Sequence, residues 1–184
     1  GFDSKTVLWN VVTGTKTFTL IGHNNAVKCV RFSPDGTKLA TGSFDSTAII
    51  WDVALGLELS RLRGHKDIVY HVSWSPDGTK LATSSLDNNA IIWDVNTEVR
   101  LFTLTGHTSW VYAAEWSADG TKVATASKDR TAAVWFVDNI PLQADTSDAT
   151  FQIVVPMSAA KNINMLQCLV GTSKDSVVAS FISN

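Results

Sequence analysis

The chain has 184 residues, of which 45% are hydrophobic, and it carries 15 lysines and arginines against 17 aspartates and glutamates. It is long enough to bury a core, while its net charge of −2 offers no broad basic field for a nucleic-acid backbone or an anionic membrane. No apolar run approaches the roughly 18 residues of a membrane span, and the printed start has no signal-peptide pattern, so we expect neither.

Cysteine usage bears on the compartment. Cys29 and Cys168 form neither a disulfide framework nor a metal-ligand spacing. Because a reducing environment fits this usage, we expect an intracellular, cytoplasmic protein, with nuclear and cytoskeletal locations left open. We expect no cofactor.

A constant interval of 42 residues separates four tryptophans, Trp9, Trp51, Trp93 and Trp135. A Gly-His pair, a Ser-(Pro/Ala)-Asp-Gly turn and an aspartate six residues before the tryptophan recur with the same period. These landmarks are Gly22-His23, Gly64-His65 and Gly106-His107, the turns that begin at Ser33, Ser75 and Ser117, and the aspartates Asp45, Asp87 and Asp129. Such a period indicates an array of one supersecondary unit.

In chain order the array begins and ends with imperfect copies. The units are 1–21 (partial), 22–63, 64–105, 106–147 and 148–184 (degenerate). In the partial unit Asp3 and Trp9 keep the spacing of six. In the degenerate unit Asp175 and Phe181 keep it after a four-residue insertion, but Asp148-Ala149 replaces Gly-His.

Each complete unit reads as four short strands. In the unit 64–105, β-branched and aromatic stretches alternate with turn signals such as Pro76-Asp77-Gly78, and no helical periodicity is present. The predicted strands are 68–74, 80–85, 90–93 and 99–104. These strands predict one antiparallel sheet per unit, and such sheets bury their apolar faces by stacking around an axis. The predicted class is therefore all-β.

We expect the first and third strands to supply the contacts between neighbouring sheets. These residues are Val27, Val69 and Val111; Val30, Val72 and Ala114; Phe32, Trp74 and Trp116; and Ile49, Ile91 and Ala133. The spacing 27, 30, 32 departs from strict alternation. It therefore predicts a β-bulge near the start of each first strand.

The Gly-His opening, the Asp turn and the closing Trp51-Asp52 and Trp93-Asp94 resemble the WD-repeat β-propeller family. The resemblance is strong over 22–147, partial before it and poor over 148–184. It implies four-stranded blades around a channel, with only about four blades here instead of the family's usual seven or so, hence a partial propeller. Gly1 aligns within a second strand, so we expect a fragment whose missing blades come from the rest of a longer chain or from another subunit. Completion of the ring by oligomerisation is the alternative.

Every complete unit also holds a His, a Thr, an Asp and a Trp. These tetrads are His23, Thr41, Asp45 and Trp51; His65, Thr83, Asp87 and Trp93; and His107, Thr125, Asp129 and Trp135. A hydroxyl, an imidazole and a carboxylate suggest a hydrolase triad, but one active site needs one such set with an oxyanion hole and a cleft. The resemblance implies a structural chain from Asp to His to Thr to Trp. We predict no catalytic and no metal-binding residues.

Two further patterns suggest a binding site but have structural explanations. The stretch Gly36-Thr37-Lys38 and its copies at 78–80 and 120–122 echo the end of a phosphate-binding loop, but each leads into a strand, which predicts a hairpin turn. His71 has no second ligand at metal spacing, so we expect a core or edge histidine.

Positions that differ between the units are available for a partner. They are Ala26, Lys28 and Phe44; Ile68, Tyr70 and Leu86; and Trp110, Tyr112 and Lys128. The resemblance places these nine positions on the usual docking face of the family. Aromatic and apolar groups with charges at the rim are typical of interaction hot spots. Covering the mouth of the central channel is the alternative role.

Together these patterns predict a non-catalytic scaffold that offers a rigid platform to other proteins within a multiprotein complex. No small-molecule substrate, nucleic acid or membrane is expected as a partner. A structural subunit embedded permanently in a large assembly is the alternative, and a hydrolase is the third hypothesis. The Trp-Asp-x-Arg signature of the family's ubiquitin-ligase receptors is replaced here, since Ala54 and Asn96 stand at the Arg position.

Overall fold

The computed structural model describes residues 2–137 and 152–156. These residues form 14 β-strands and no helix, so the described part has no helical segment able to cross a membrane. The strands are β1 (Lys5–Asn10), β2 (Thr15–Ile21), β3 (Val27–Phe32), β4 (Lys38–Ser43), β5 (Thr47–Asp52), β6 (Glu58–Arg63), β7 (Val69–Trp74), β8 (Lys80–Ser85), β9 (Ala90–Asp94), β10 (Arg100–Leu104), β11 (Val111–Trp116), β12 (Lys122–Ser127), β13 (Thr131–Phe136) and β14 (Gln152–Pro156).

The strands form four antiparallel sheets in which consecutive strands are neighbours. A partial sheet contains β1 and β2, and sheets 1, 2 and 3 contain β3–β6, β7–β10 and β11–β14. The predicted all-β class is confirmed, and the four strands predicted for the unit 64–105 are found within one residue of their expected bounds. The arrangement is that of a partial propeller.

The last strand of sheet 3 is displaced along the sequence. β14 pairs with β13 from Trp135↔Gln152 to Thr131↔Pro156, whereas the repeat period ended this unit at 147. In sheet 1 the corresponding strand β6 follows β5 after only the turn 53–57. The division at 147/148 stays a prediction, because Asp148, Asp175, Phe181 and Cys168 lie outside the described residues.

The Ser-Pro-Asp-Gly segments are hairpin turns. The Gly36 N–H donates to the Ser33 carbonyl at 2.9 Å, and Asp35 accepts bonds from the Ser33 hydroxyl and the Thr37 N–H. Gly36 has φ of 71°, which a residue with a Cβ adopts only with strain. The same bonds close the turns at 75–80 and 117–122, so no phosphate-binding loop is formed.

Apolar faces of neighbouring sheets meet in three buried clusters. Sheet 2 contributes Ala82, Ala90, Ile92 and Leu104 against Ala114, Val123, Ala133 and Trp135 of sheet 3; sheet 1 contributes Ala40, Ala48, Ile50 and Leu62 against Val69, Val72, Trp74, Leu81, Ile91, Trp93 and Val95 of sheet 2; and Leu20 of the partial sheet lies with Leu39, Ile49 and Trp51 of sheet 1. The expected contacts of the first and third strands are found for Val69, Val72, Trp74, Ile91, Ala114, Ala133 and Ile49, with Trp116 partly buried against its cluster.

The expectation is wrong for Val30 and Phe32, which are 43% and 56% exposed. At the same repeat positions Val72 and Trp74 are buried, because sheet 1 covers them. Among the described residues only the two-stranded partial sheet lies before sheet 1, and its cluster contacts Leu39 instead of β3. Exposure at these positions therefore depends on the neighbour and not on the local sequence.

The predicted bulges are present in all three first strands. The pairing register shifts between Val27 and Cys29, between Val69 and His71, and between Val111 and Ala113. One extra residue lies at each shift, at positions 28, 70 and 112. These residues stand outside the regular pairing of the sheet.

His71 is an inter-sheet histidine. Its Nδ1–H donates to the Ala114 carbonyl at 3.3 Å, and its Nε2 accepts from Arg31 at 3.1 Å, with a Glu115 carboxylate oxygen 3.3 Å away. Burial lowers the pKa of His71, and Glu115 opposes that shift while Arg31 adds to it. The side chain joins sheets 1, 2 and 3, and among the described residues no cluster of His, Cys, Asp or Glu could hold a metal.

We expect Ala82→Leu to destabilise the chain by about 1–3 kcal/mol, because its methyl group lies in the close-packed space between sheets 2 and 3. Ala124→Leu is the matched control. It is the same residue at the same repeat position, but it is exposed on the outer face of sheet 3. Urea unfolding of the full chain measures both, and equal losses would contradict the assigned sheet packing.

Candidate functional site

The tetrad of the unit 22–63 joins four elements through side chains. His23 precedes β3, Thr41 lies in β4, Asp45 in the turn after it, and Trp51 in β5. The His23 Nδ1 lies 2.9 Å from the Asp45 Oδ2, the His23 Nε2 lies 2.8 Å from the Thr41 hydroxyl, and the Trp51 N–H donates to that hydroxyl at 2.9 Å.

The other two complete units contain the same chain of contacts. The distances are 2.9 Å for His65 to Asp87, 2.8 Å for His65 to Thr83 and 2.9 Å for Trp93 to Thr83; in the next unit, 2.8 Å for His107 to Asp129, 2.8 Å for His107 to Thr125 and 2.8 Å for Trp135 to Thr125. All twelve residues predicted as tetrads are therefore brought together in their groups of four. The three groups occupy the same positions of the 42-residue repeat.

Donor chemistry gives each tetrad a direction. An indole N–H can only donate, so the Thr41 hydroxyl oxygen accepts from Trp51, and its own hydrogen can go to the Ile49 carbonyl at 3.4 Å or, over the shorter distance of 2.8 Å, to His23 Nε2. That bond requires an unprotonated Nε2, and the remaining proton on Nδ1 then donates to Asp45. Burial lowers the pKa of His23, although Asp45 opposes the shift, and the lowered pKa favours the neutral imidazole that this chain of bonds requires.

The aspartate of each tetrad is held by backbone as well as side chains. Burial raises the pKa of Asp45, but bonds from the Thr47 hydroxyl, the Asn24 N–H and His23 outweigh it and lower the pKa to about 2. The pKa of Asp87 is also lowered to about 2 against the effect of burial, with His65 as the main partner. The contribution of Thr47 was missed by the sequence analysis, although a threonine two residues after the aspartate recurs at Thr131.

The geometry of the tetrads argues against a catalytic role for them. Thr41 and Thr83 are 0% exposed and Thr125 is 2% exposed, so no substrate reaches their hydroxyl groups. Each hydroxyl oxygen also accepts an indole hydrogen bond, which a free nucleophile would not. A nucleophile must meet its substrate, whereas a buried and fully bonded group stabilises the fold.

The predicted surface positions lie together at one end of the sheets. Backbone N–H groups of Phe44, Leu86 and Lys128 donate to the carbonyls of Ala26, Ile68 and Trp110 at 2.9, 3.1 and 2.9 Å. The remaining three positions, Lys28, Tyr70 and Tyr112, are the extra residues of the bulges. We call this end, with its loops 22–28, 44–47 and their copies, the bulge end; the opposite end is the turn end, at 33–38 and its copies.

The solvent exposure of the predicted surface positions varies from one residue to the next. Trp110 is 39% exposed and Lys28 is exposed, while Tyr70 is half-buried. Ala26 is the exception to the predicted face: it is only 6% exposed, because its methyl group is too short to rise above its own loop. Its N–H donates to the Asn25 side chain and its carbonyl accepts from Phe44, so it offers a partner little surface.

Five of these side chains form one continuous row, which we call the aromatic row. It runs Lys28, Tyr70, Tyr112, Trp110, Lys128 across sheets 1, 2 and 3. The Lys28 ammonium lies 4.4 Å from the centre of the Tyr70 ring, the Tyr70 and Tyr112 rings are 5.2 Å apart, Tyr112 and Trp110 are 6.2 Å apart, and the Lys128 ammonium lies 3.7 Å from the Trp110 ring. Both lysines were expected at the rim of the docking face, and in the structure each ammonium group lies over a ring.

Cys29 is a poor candidate for reactivity. It is half-buried in β3, and burial raises the pKa of its thiol to about 11. At neutral pH the thiol therefore keeps its proton, and the thiolate is the reactive form.

Comparison with known families gives one result. The sequence profile described as "WD domain, G-beta repeat" matches residues 14–52, 56–94 and 98–135. Each match begins one or two residues before the last strand of one sheet and ends in the third strand of the next sheet. No curated protein matches the chain significantly.

We expect Thr83→Val to cost about 1–3 kcal/mol, because it leaves the buried Trp93 N–H and the His65 Nε2 without their partner. Ser84→Ala is the matched control one residue away. Its buried hydroxyl has no hydrogen-bond partner among the described residues, so its loss should be close to neutral. Urea unfolding compares the two, and a neutral Thr83→Val would remove the tetrad's structural role.

The tetrad aspartates should make the fold acid-sensitive. Because the folded pKa of Asp87 is about 2 and its ordinary value is 3.8, its contribution to stability is present above about pH 4 and is lost as the pH falls through about 2. We expect Asp87→Asn to lower the melting temperature at pH 7 and to shrink the further drop on acidification. Thermal melts between pH 7 and pH 2 test this, with the exposed Asp67→Asn as control; an unchanged acid profile in Asp87→Asn would contradict the assignment.

Proposed function

Since the chain belongs to the WD-repeat family, we propose that it is a non-catalytic scaffold whose bulge end is a rigid platform for another protein. WD-repeat domains are protein-interaction modules and are generally non-catalytic. The finer proposal is that one partner, or the surrounding members of a complex, contact the aromatic row. The missing blades would come from the rest of a longer chain or from another subunit.

The aromatic row is the observation that carries the proposal. Tyr70, Tyr112 and Trp110 lie at positions that the sheet does not require for packing, because Lys28 and Ala26 fill two of the same positions in sheet 1. Aromatic rings on rigid strands offer large contact area with little loss of conformational entropy, and such residues dominate interaction hot spots. Packing against one another and against lysines holds the rings in place before a partner arrives.

The alternatives have less support. The hydrolase hypothesis rests on the tetrads alone, and their hydroxyl groups are buried and bonded.

We further propose that the partner is a protein and not a nucleic acid or membrane, and that the chain works in a reducing, cytoplasmic compartment. An embedded structural subunit would be held by contacts spread over the whole surface, whereas a platform loses its partner when one hot-spot residue is changed.

We expect Trp110→Ala to weaken partner binding by about 2 kcal/mol or more while leaving the melting temperature nearly unchanged, because the ring is exposed and lies outside the sheet packing. The partner is first captured by crosslinking to the full chain and then purified. Calorimetry compares Trp110→Ala with Lys80→Ala, a substitution at the turn end.

Two outcomes would contradict the platform. If Lys80→Ala abolishes binding and Trp110→Ala does not, the partner contacts the turn end. If no single substitution matters while broad surface changes do, the embedded subunit is the better description.

A further inference from the structure

The exposed charges of the bulge end are mostly positive. Its loops in the three complete units carry four exposed cations, Lys28, Lys66, Lys128 and Arg130, although the net charge of the chain is −2. Three of the four carboxylates in the same loops are the tetrad aspartates, whose oxygens are already bonded to histidine and backbone groups. Those aspartates stay ionised and balance the formal charge of the loops, but their side chains are only 8–9% exposed, so Asp67 is the one carboxylate of these loops that a partner meets at the surface.

The two lysines of the aromatic row are not used inside the protein for ion pairing. Among the described residues neither Lys28 nor Lys128 forms a salt bridge, and each has its ammonium group over a ring. A ring contacts one side of an ammonium group and leaves N–H donors free on the others. The row therefore has a cation with free donors at each end and three rings between them.

We propose that the partner segment received by the aromatic row is an acidic peptide that carries a large apolar side chain between carboxylates. The apolar side chain contacts the Tyr112 region, and the carboxylates pair with Lys28 at one end and Lys128 at the other. Complementary charge of this kind guides association and fixes the register of the segment. This inference rests on the proposed function, since it names the chemistry of the partner at the same platform.

The ring geometry favours a peptide over single-stranded nucleic acid, which also combines negative charge with flat groups. Tyr70 and Tyr112 are tilted by 57°, and Trp110 meets Tyr112 edge to face at 78°, so the rings leave no parallel slot for a base. The outer rings are already covered by Lys28 and Lys128. A stacking base would have to displace these lysines, whereas a carboxylate binds to them where they are.

The test uses fluorescence anisotropy on the full chain with three labelled probes. They are a short peptide with a central phenylalanine between runs of glutamate, the same peptide with every glutamate replaced by glutamine, and an oligothymidylate of equal charge. We expect the acidic peptide to bind at least about tenfold more tightly than the amide peptide, and its affinity to fall with added salt. No binding of the acidic peptide up to about 1 mM would overturn the proposal.

Substitutions locate the binding. Lys28→Gln and Lys128→Gln should each weaken the acidic peptide by about two- to fivefold and reduce its salt dependence, while Lys80→Gln at the turn end should not. Equal effects of all three would overturn the proposal, and tighter binding of the oligothymidylate through the same lysines would replace it with a nucleic-acid site. A natural partner that needs Trp110 but ignores both lysine changes would leave the platform intact and eliminate the acidic segment alone.

Discussion

A buried indole N–H that can only donate is the constraint on which each of the three four-stranded sheets depends. It must be paired, because an unpaired polar group in the interior is costly, and the threonine of the second strand is its partner. With a neutral histidine, the threonine hydrogen then goes to the imidazole and the histidine hydrogen to the aspartate. One donor in the third strand thereby positions the second strand, the turn between them and the loop that enters the first strand.

The tetrads also explain why surface variation is tolerated. They fix the loop and the turn at the bulge end from below, through side chains that are buried and identical in all three units. The surface residues of the bulge end therefore stand on a backbone that the tetrads hold in place, and their own side chains are not needed to hold it. Tyr70 and Tyr112 can therefore stand where Lys28 stands in sheet 1, because the backbone beneath them is held by other groups.

Much of this organisation was predictable because it is local and repeated. The strands, the hairpin turns and the bulges follow from patterns within one unit, and three copies of each pattern strengthen the inference. Burial was not predictable in the same way: Ala82 and Ala124 occupy the same repeat position, yet one is covered by a sheet and the other is exposed. The seating of Lys28 over Tyr70 was likewise hidden, because it joins residues one period apart that meet only when the sheets stack.

The bulges separate two demands that most strand residues meet together. A residue in regular register must fit the pairing with the neighbouring strand and the packing of its face of the sheet. The extra residue at positions 28, 70 and 112 lies outside the regular pairing and is not bound by either requirement. Mutation can therefore alter that residue in one unit without disturbing the core, and the change is felt only by its neighbours in the row. An array built this way can acquire a new binding partner by a few surface substitutions, and duplication of a unit adds another adjustable position to the same row.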